Sequence, residues 1–218
     1  MTTDISQLVE PLRALDWNDV PKIEATTGKV LESLAADRDL LRRAVEAVPD
    51  DERLCKLAEH YDILDKIVLH DDDLGFRIRL HVFLPGYYDR PHNHRWTYSS
   101  RLLRGSYQHT LYGLDDDLDE DTPVADLKPY MVRTEQAGHG YTLHHGMIHA
   151  AVAEPYTVSL IVRGPAMKDR FLVADRATGE SWWQYGAASE PKKDAQNKRM
   201  TGDQIRHATQ RLTELGII

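Results

Sequence analysis

The stretch Phe76-Arg-Ile-Arg-Leu-His-Val-Phe-Leu-Pro-Gly86-Tyr-Tyr-Asp-Arg-Pro-His92-Asn-His94-Arg-Trp-Thr-Tyr98 decides how this chain is read. In its first half Ile78, Leu80, Val82 and Leu84 alternate with Arg77, Arg79, His81 and Phe83. A period of two is that of a strand with two unlike faces. The apolar set is expected against a cover of helices. Arg79 and His81 are expected on the inner side, and Arg77 in solvent. Pro85-Gly86 then breaks the strand, and His92-Asn-His94 follows in an extended segment. Side chains two apart on such a segment point the same way, so both imidazoles face one side.

Outward from this stretch the pattern differs in each direction. Leu8, Leu12 and Leu15 repeat at helical spacing, and Asp37 is placed to cap a helix carrying Leu40, Leu41, Ala44, Val45 and Val48. Pro49-Asp50-Asp51 closes that run. Towards the C-terminus, short strands are expected at roughly 96–104, 106–113, 130–135, 140–144, 149–154, 157–163 and 170–175. Gly105, Gly113, Gly138-His139-Gly140 and Gly164-Pro165 separate them. Thr201 and Gln204 form a capping box ahead of an Ile205, Ala208, Leu212 and Leu215 stripe, which is expected to pack on the body of the protein. Many short strands with Gly/Pro turns predict an all-β sandwich or barrel. The division is residues 1–60 as a helical extension, 61–185 as the barrel and 186–218 as a helical tail. Trp182-Trp183 is expected to plug one face of the barrel.

Composition narrows the function. Of 218 residues, 27 are Lys or Arg against 35 Asp or Glu, a net charge of −8, which opposes binding to phosphate backbones and argues against nucleic acid as a partner. There is no apolar run of membrane-spanning length and no basic start leading into an apolar stretch. Cys55 is the single cysteine, so no internal disulfide forms and a cytoplasmic location is expected. The acidic segment 114–122 lacks the spaced oxygen ligands and central glycine of a calcium loop and reads as a solvated loop. No Gly-x-Gly-x-x-Gly, phosphate loop or Gly-x-Ser-x-Gly elbow is present, which leaves nucleotide and serine-hydrolase chemistry without support.

Eleven histidines are the compositional oddity. His92 and His94 share a side, and His149 falls on a later strand. Antiparallel neighbours can bring the three into one coordination sphere, where neutral imidazole suits Fe(II), Zn, Ni or Cu. The surrounding glycines carry more information. Gly86, five residues, His92-x-His94, three residues, Tyr98, six residues, Gly105 resembles the first cupin motif. Gly138, five residues, His144-x-Gly146, two residues, His149 resembles the second. The resemblance covers about residues 60–175 and implies a cupin double-stranded β-helix, a jelly-roll barrel with N-terminal helices and a C-terminal helix around an all-β core. It implies a metal held inside the barrel by His92, His94 and His149.

Cupins usually supply a glutamate ligand where this chain has Tyr98, or Ser99 if the gap is four, and a proline where His144 stands. The set left is three neutral histidines, similar to the cysteine dioxygenase group of thiol dioxygenases. Leu103-Arg-Gly-Ser-Tyr-Gln-His-Thr-Leu-Tyr112 and Ser159-Leu160 before Gly164-Pro165 resemble stretches of that group. However, the histidine and tyrosine of its Ser-His-Tyr group fall on Ile161 and Arg163, its carboxylate-binding arginine falls on Lys66, and Cys55 lies too early for its cysteine–tyrosine crosslink. The metal site carries over and the cysteine-specific pocket does not.

What the resemblance implies is a mononuclear non-haem Fe(II) dioxygenase that oxidises a small thiol, or a related metal-chelating metabolite, with O2. A neutral ligand set leaves Fe(II) with charge to offset and favours an anionic donor such as a thiolate. Tyr98 tunes the oxygen, and Arg163, Arg79 or Lys66 orients the substrate, with His81 and Ser159 lining the same face. Three readings of Tyr98 stand open: a core aromatic, a hydrogen-bond donor at the metal, or a phenolate ligand. The rival readings are a Zn, Ni or Mn cupin acting as a Lewis acid in isomerase, lyase or ligation chemistry, and a non-catalytic cupin that binds a small molecule. The expected partners are the substrate and O2, with a homodimer in keeping with the family.

Overall fold

The structure is a computed structural model that describes residues 4–114, 119–186 and 192–218. Helices come first: α1 (Ile5–Val9), α2 (Val20–Ala36), α3 (Arg38–Glu46) and α4 (Glu52–Leu57). Asp37 caps α3 by accepting from Leu40 N at 2.9 Å, as its position predicts. Pro49 and its neighbours form a single 3-10 turn rather than ending the helical run, and Asp51 caps α4 in turn.

The strands form two facing walls. In the first, β1 (Glu59–Tyr61), β2 (Leu64–Asp71), β3 (Arg77–Phe83), β9 (Val158–Arg163), β4 (Tyr98–Arg104) and β7 (Gly140–Leu143) lie in that order, every pair antiparallel. In the second, β6 (Met131–Gln136), β5 (Ser106–Leu114) and β8 (Met147–Ala153) pair with one another, and β10 (Arg170–Asp175) pairs with β11 (Glu180–Tyr185). Residue His92 joins the two groups through antiparallel bridges to His149 on β8 and Val173 on β10. The result is the double-stranded β-helix expected, a jelly roll with helices before and after it.

The chain passes from one wall to the other at Gly105. Its φ of +76° and a Cβ position 2.3 Å from Thr157 Oγ1 admit only glycine without strain. Thr157 Oγ1 donates to Ser106 O at 3.0 Å and accepts from Ser106 N at 3.2 Å, which pins the crossing.

Alternation on β3 sorts its apolar side chains as the sequence predicts, whereas Arg77, expected in solvent, is half-buried and ion-paired with Asp71. Ile78, Leu80 and Val82 are fully buried in the main apolar core, together with Ile67, Leu69, Val158, Leu160 and Val162 of the same wall and Leu31, Leu34, Leu41 and Val45 of the helices. At about 1.5–3 kcal/mol per buried aliphatic side chain, this helix-on-sheet layer is where the fold draws its stability. The final helices are α5 (Lys192–Lys198) and α6 (Gly202–Glu214). The capping box of α6 is present, and Ile205, Ala208 and Leu212 sink into the same core.

The inner face of the barrel is mostly polar; its apolar cluster centres on Tyr98, Leu143 and Ile161. The tryptophan pair does not plug the barrel. It sits on β11, a strand absent from the expected set, and is split across the strand's two faces. Trp183 packs on the outer cluster of Tyr112, Ile148 and Leu172, and Trp182 stays 37% exposed. Trp183 Nε1 also donates to Glu120, tethering the end of the acidic segment, whose residues 115–118 lie outside the described residues. No helix among the described residues is long and apolar enough to cross a membrane.

Candidate metal centre

The segment carrying the histidine pair is held by main-chain bonds on both sides. His92 and His149 exchange both N–H···O bonds at 2.8 Å, His94 N donates to His145 O at 3.2 Å, and Ala174 N donates to Pro91 O at 2.8 Å. Asn93, fully buried, turns the opposite way: its Oδ1 accepts from Leu172 N at 2.8 Å. Anchoring the middle residue fixes both flanking imidazoles on the inner side.

His92, His94 and His149 come together there, with one ring nitrogen of each within 4.8 Å of the others. The Nε2 atoms of His94 and His149 are 2.9 Å apart. Two imidazole nitrogens about 2.1 Å from one ion at a right angle stand about 3.0 Å apart, so this spacing is that of adjacent ligands. His92 Nδ1 donates to Arg90 O at 2.8 Å, which leaves its Nε2 lone pair free for an ion. Burial pushes the His92 imidazole down to about 4 against the upward pull of the Arg90 carbonyl, and it pushes His94 and His149 well below the usual imidazole range. All three are therefore neutral at pH 7, the form that ligates a metal. Two bare nitrogens at 2.9 Å repel unless a cation or proton lies between them, and the donor set fits a divalent ion. Among the described residues, the group contains no carboxylate.

Tyr98 and Ser99, the two residues that stand in place of the usual cupin glutamate, face opposite ways. Ser99 Oγ accepts from Thr27 of α2 at 2.6 Å and meets Thr142 at 2.7 Å, on the helix side of the wall. Tyr98 faces inward, its hydroxyl 3.3 Å from His149 Nε2. Burial first, then Tyr141 and Tyr107, pushes its phenol well above the usual tyrosine range.

The remaining expected site residues share the inner face of the first wall. Lys66 stands opposite both His81 and Glu59, and Ser159 stands opposite His81 on the next strand. Burial presses Lys66 down to about 8, although Glu59 pulls the other way, and its charge in turn depresses His92, His94 and His81. The guanidinium of Arg163 lies 4.8 Å from the Trp96 ring centroid and that of Arg79 lies 5.6 Å from it, with His94 stacked on the same ring at 6.0 Å. Arg163 Nη1 is engaged by the carbonyls of Gly75 and Gly164 at 2.8 and 2.9 Å. Both arginines are buried, 5% and 6% exposed, and Arg79 Nε, Arg163 Nε and His81 Nε2 have no hydrogen-bond partner among the described residues. Against these cations stands Glu59, 4.0 Å from Arg79 Nη1. Cys55 lies in the helical layer, its Sγ against Val48 O at 3.0 Å.

Two buried residues at the centre were not anticipated. His109 Nε2 lies 3.0 Å from His149 Nδ1, and His109 Nδ1 lies 3.3 Å from Glu135 Oε1. Alternation along β5 does set His109 on one face with Tyr107 and Leu111, but the strand's own pattern does not say which face is inner. His139, flanked by glycines in its turn, reaches Glu135 from outside, with Nδ1 3.6 Å from Oε2. His144 and His145 stack on each other at 3.9 Å, and hydrogen-bond to Gly146 and Thr97 respectively.

No family model and no curated protein matches the sequence, whereas solved structures do. The chain is similar to an RmlC-like cupin from Shewanella frigidimarina NCIMB 400 at 15% identity over 51% of this chain and 85% of that one, with a TM-score of 0.37. It is similar to ectoine synthase from P. lautus at 12% identity over 67% and 96%, with a TM-score of 0.40. It is also similar to Streptomyces albus HEPD with 2-hydroxyethylphosphonate and Fe(II) bound, at 13% identity over 49% and 22%, with a TM-score of 0.38. The strands form a jelly-roll barrel, and a three-histidine group able to hold a metal lies inside it.

Proposed function

We propose that this chain is a mononuclear non-haem iron dioxygenase of the cysteine-dioxygenase-like type, acting on a small thiol that also carries an acidic group. The carrying observation is the convergence of three neutral imidazoles with no carboxylate in the group among the described residues, beside Lys66 and the buried Arg79, which has Glu59 at 4.0 Å. Fe(II) bound by His92, His94 and His149 would supply open coordination positions and the redox chemistry for a thiolate and O2. The overall change is RSH + O2 → RSO2H: sulfur is oxidised, dioxygen is reduced, and both oxygen atoms enter the product. Tyr98 donates a hydrogen bond on the reacting side of His149. Lys66 and Arg79 neutralise the acidic group of the substrate and so orient it. Arg163, held by two main-chain carbonyls, supports this wall through its contact with Trp96. His81 and Ser159 complete the surface.

The reading is tested on protein purified without added metal and without a histidine tag, beside a His92→Ala/His149→Ala variant. Iron in the wild type, lost in the variant, together with O2 consumption on addition of acidic thiols, is the expected result. Turnover that persists under argon refutes the oxygenase reading. Zinc or nickel at full occupancy with oxygen-independent turnover moves the chain to Lewis-acid chemistry, for which three neutral histidines are also a competent set.

A further inference from the structure

On β6 the residues Met131, Val132, Arg133, Thr134 and Gln136 are exposed, and the one buried residue is a carboxylate, Glu135, with no exposed surface. A buried carboxylate on an otherwise solvated edge strand calls for a purpose, because removing its hydration costs several kcal/mol unless partners replace it. Arg133 supplies part of that, with Nε 2.7 Å from Oε1 and Nη2 3.1 Å from Oε2. The inward partner is His109, itself 2% exposed, and beyond it stands His149.

Proton positions along this series follow from one fact: an ionised carboxylate accepts and cannot donate. His109 must therefore carry its proton on Nδ1, facing Glu135. Its Nε2 is then bare and accepts from His149 Nδ1–H. That in turn leaves His149 Nε2 bare, facing His94 Nε2 and the Tyr98 hydroxyl. Reversing the first choice reverses all the others. A proton on His109 Nε2 meets His149 Nδ1, drives the His149 proton to Nε2 and blocks that nitrogen as a ligand. His92 reaches the same result in one step, because a main-chain carbonyl accepts from its Nδ1.

We propose that Glu135 and His109 are positioning residues for the metal centre: the carboxylate, acting through His109, fixes the tautomer and aim of His149. This rests on the three histidines being a metal site and is independent of which metal or reaction they serve.

Zinc is the probe, so the test does not depend on turnover. In zinc-loaded wild-type protein, long-range ¹H–¹⁵N spectra of the imidazoles are expected to show His109 protonated at Nδ1, and His149 protonated at Nδ1 and metallated at Nε2. In chelator competition, His109→Phe and Glu135→Gln are expected to bind zinc about 10–100-fold more weakly. His109→Gln, whose amide oxygen can stand where Nε2 was, is expected to recover much of that loss, which a purely space-filling role for His109 does not predict. A proton on His109 Nε2 in the zinc-loaded wild type overturns the proposal even if the Glu135 variant fails to fold. So does zinc affinity in folded His109→Phe within twofold of wild type. Wild-type protein that binds no zinc overturns the metal-site reading as well, and the two failures are thereby told apart.

Discussion

Acid is expected to destabilise the metal-free protein well above the pH at which carboxylates titrate. The cause is the cost of keeping imidazoles neutral inside the barrel. An unfolded histidine titrates near 6.5, and burial pushes His92 down to about 4. Between those values the unfolded chain takes up a proton that the folded one refuses, so stability is complete above about pH 6.5 and is lost as pH falls towards 4. Going from pH 7.5 to 5 costs about 2 kcal/mol through His92 alone. His94, His149 and His81 are shifted in the same direction and add to the loss. The depressed carboxylates Asp71 and Glu59 act below this window, since their ordinary values already lie beneath 5. Urea midpoints in the presence of a chelator, at pH 7.5, 6.5, 5.5 and 5, measure the effect. His92→Gln should lose about 2 kcal/mol less than wild type across the same range. A flat wild-type profile, or a His92→Gln profile that tracks wild type, would refute the claim that buried neutral imidazoles set the acid limit.

Four other outcomes follow from the same geometry. Gly105→Ala should lower stability by about 2–4 kcal/mol, because a side chain at that positive φ is strained and its Cβ meets Thr157; urea denaturation reads it directly. Thr27→Val should cost about 1 kcal/mol through the lost hydrogen bonding between α2 and the first wall, with Ser99 still paired to Thr142 and little change in zinc affinity. Tyr98→Phe should retain metal and lower the turnover number by about tenfold or more, whereas loss of metal in that variant would make the tyrosine a ligand. Lys66→Met should raise KM for an acidic thiol by about 10–100-fold while sparing an uncharged thiol, and equal effects on both would remove Lys66 from substrate binding.

Much of this architecture is local in origin, and so is readable along the chain. The β3 alternation, the Asp37 and Thr201 caps and the glycine-framed histidine spacings are all set by neighbours within a few residues. The three-histidine group belongs with them because both motifs carry their own turn residues. Other features are set by which strand lies beside which, and at what register. His109 and Glu135 lie 26 residues apart and meet because β5 pairs with β6 so that Tyr107 faces Glu135. Neither strand's own pattern contains that offset. The strand β11 is hidden along the chain for a related reason: its two tryptophans form one apolar block in sequence until pairing with β10 divides them between faces. Whether Tyr98 or Ser99 faces inward likewise depends on a one-residue phase that Thr27, from a distant helix, settles.

The strands β3 and β9 answer to two masters in alternate residues. Their outward side chains build the apolar layer that holds the molecule together, and their inward ones present Arg79, His81, Ser159, Ile161 and Arg163 to the barrel. Selection can therefore act on the two sets separately. Exchanging an inward side chain leaves that apolar layer untouched, and exchanging an outward one leaves the lining of the barrel untouched.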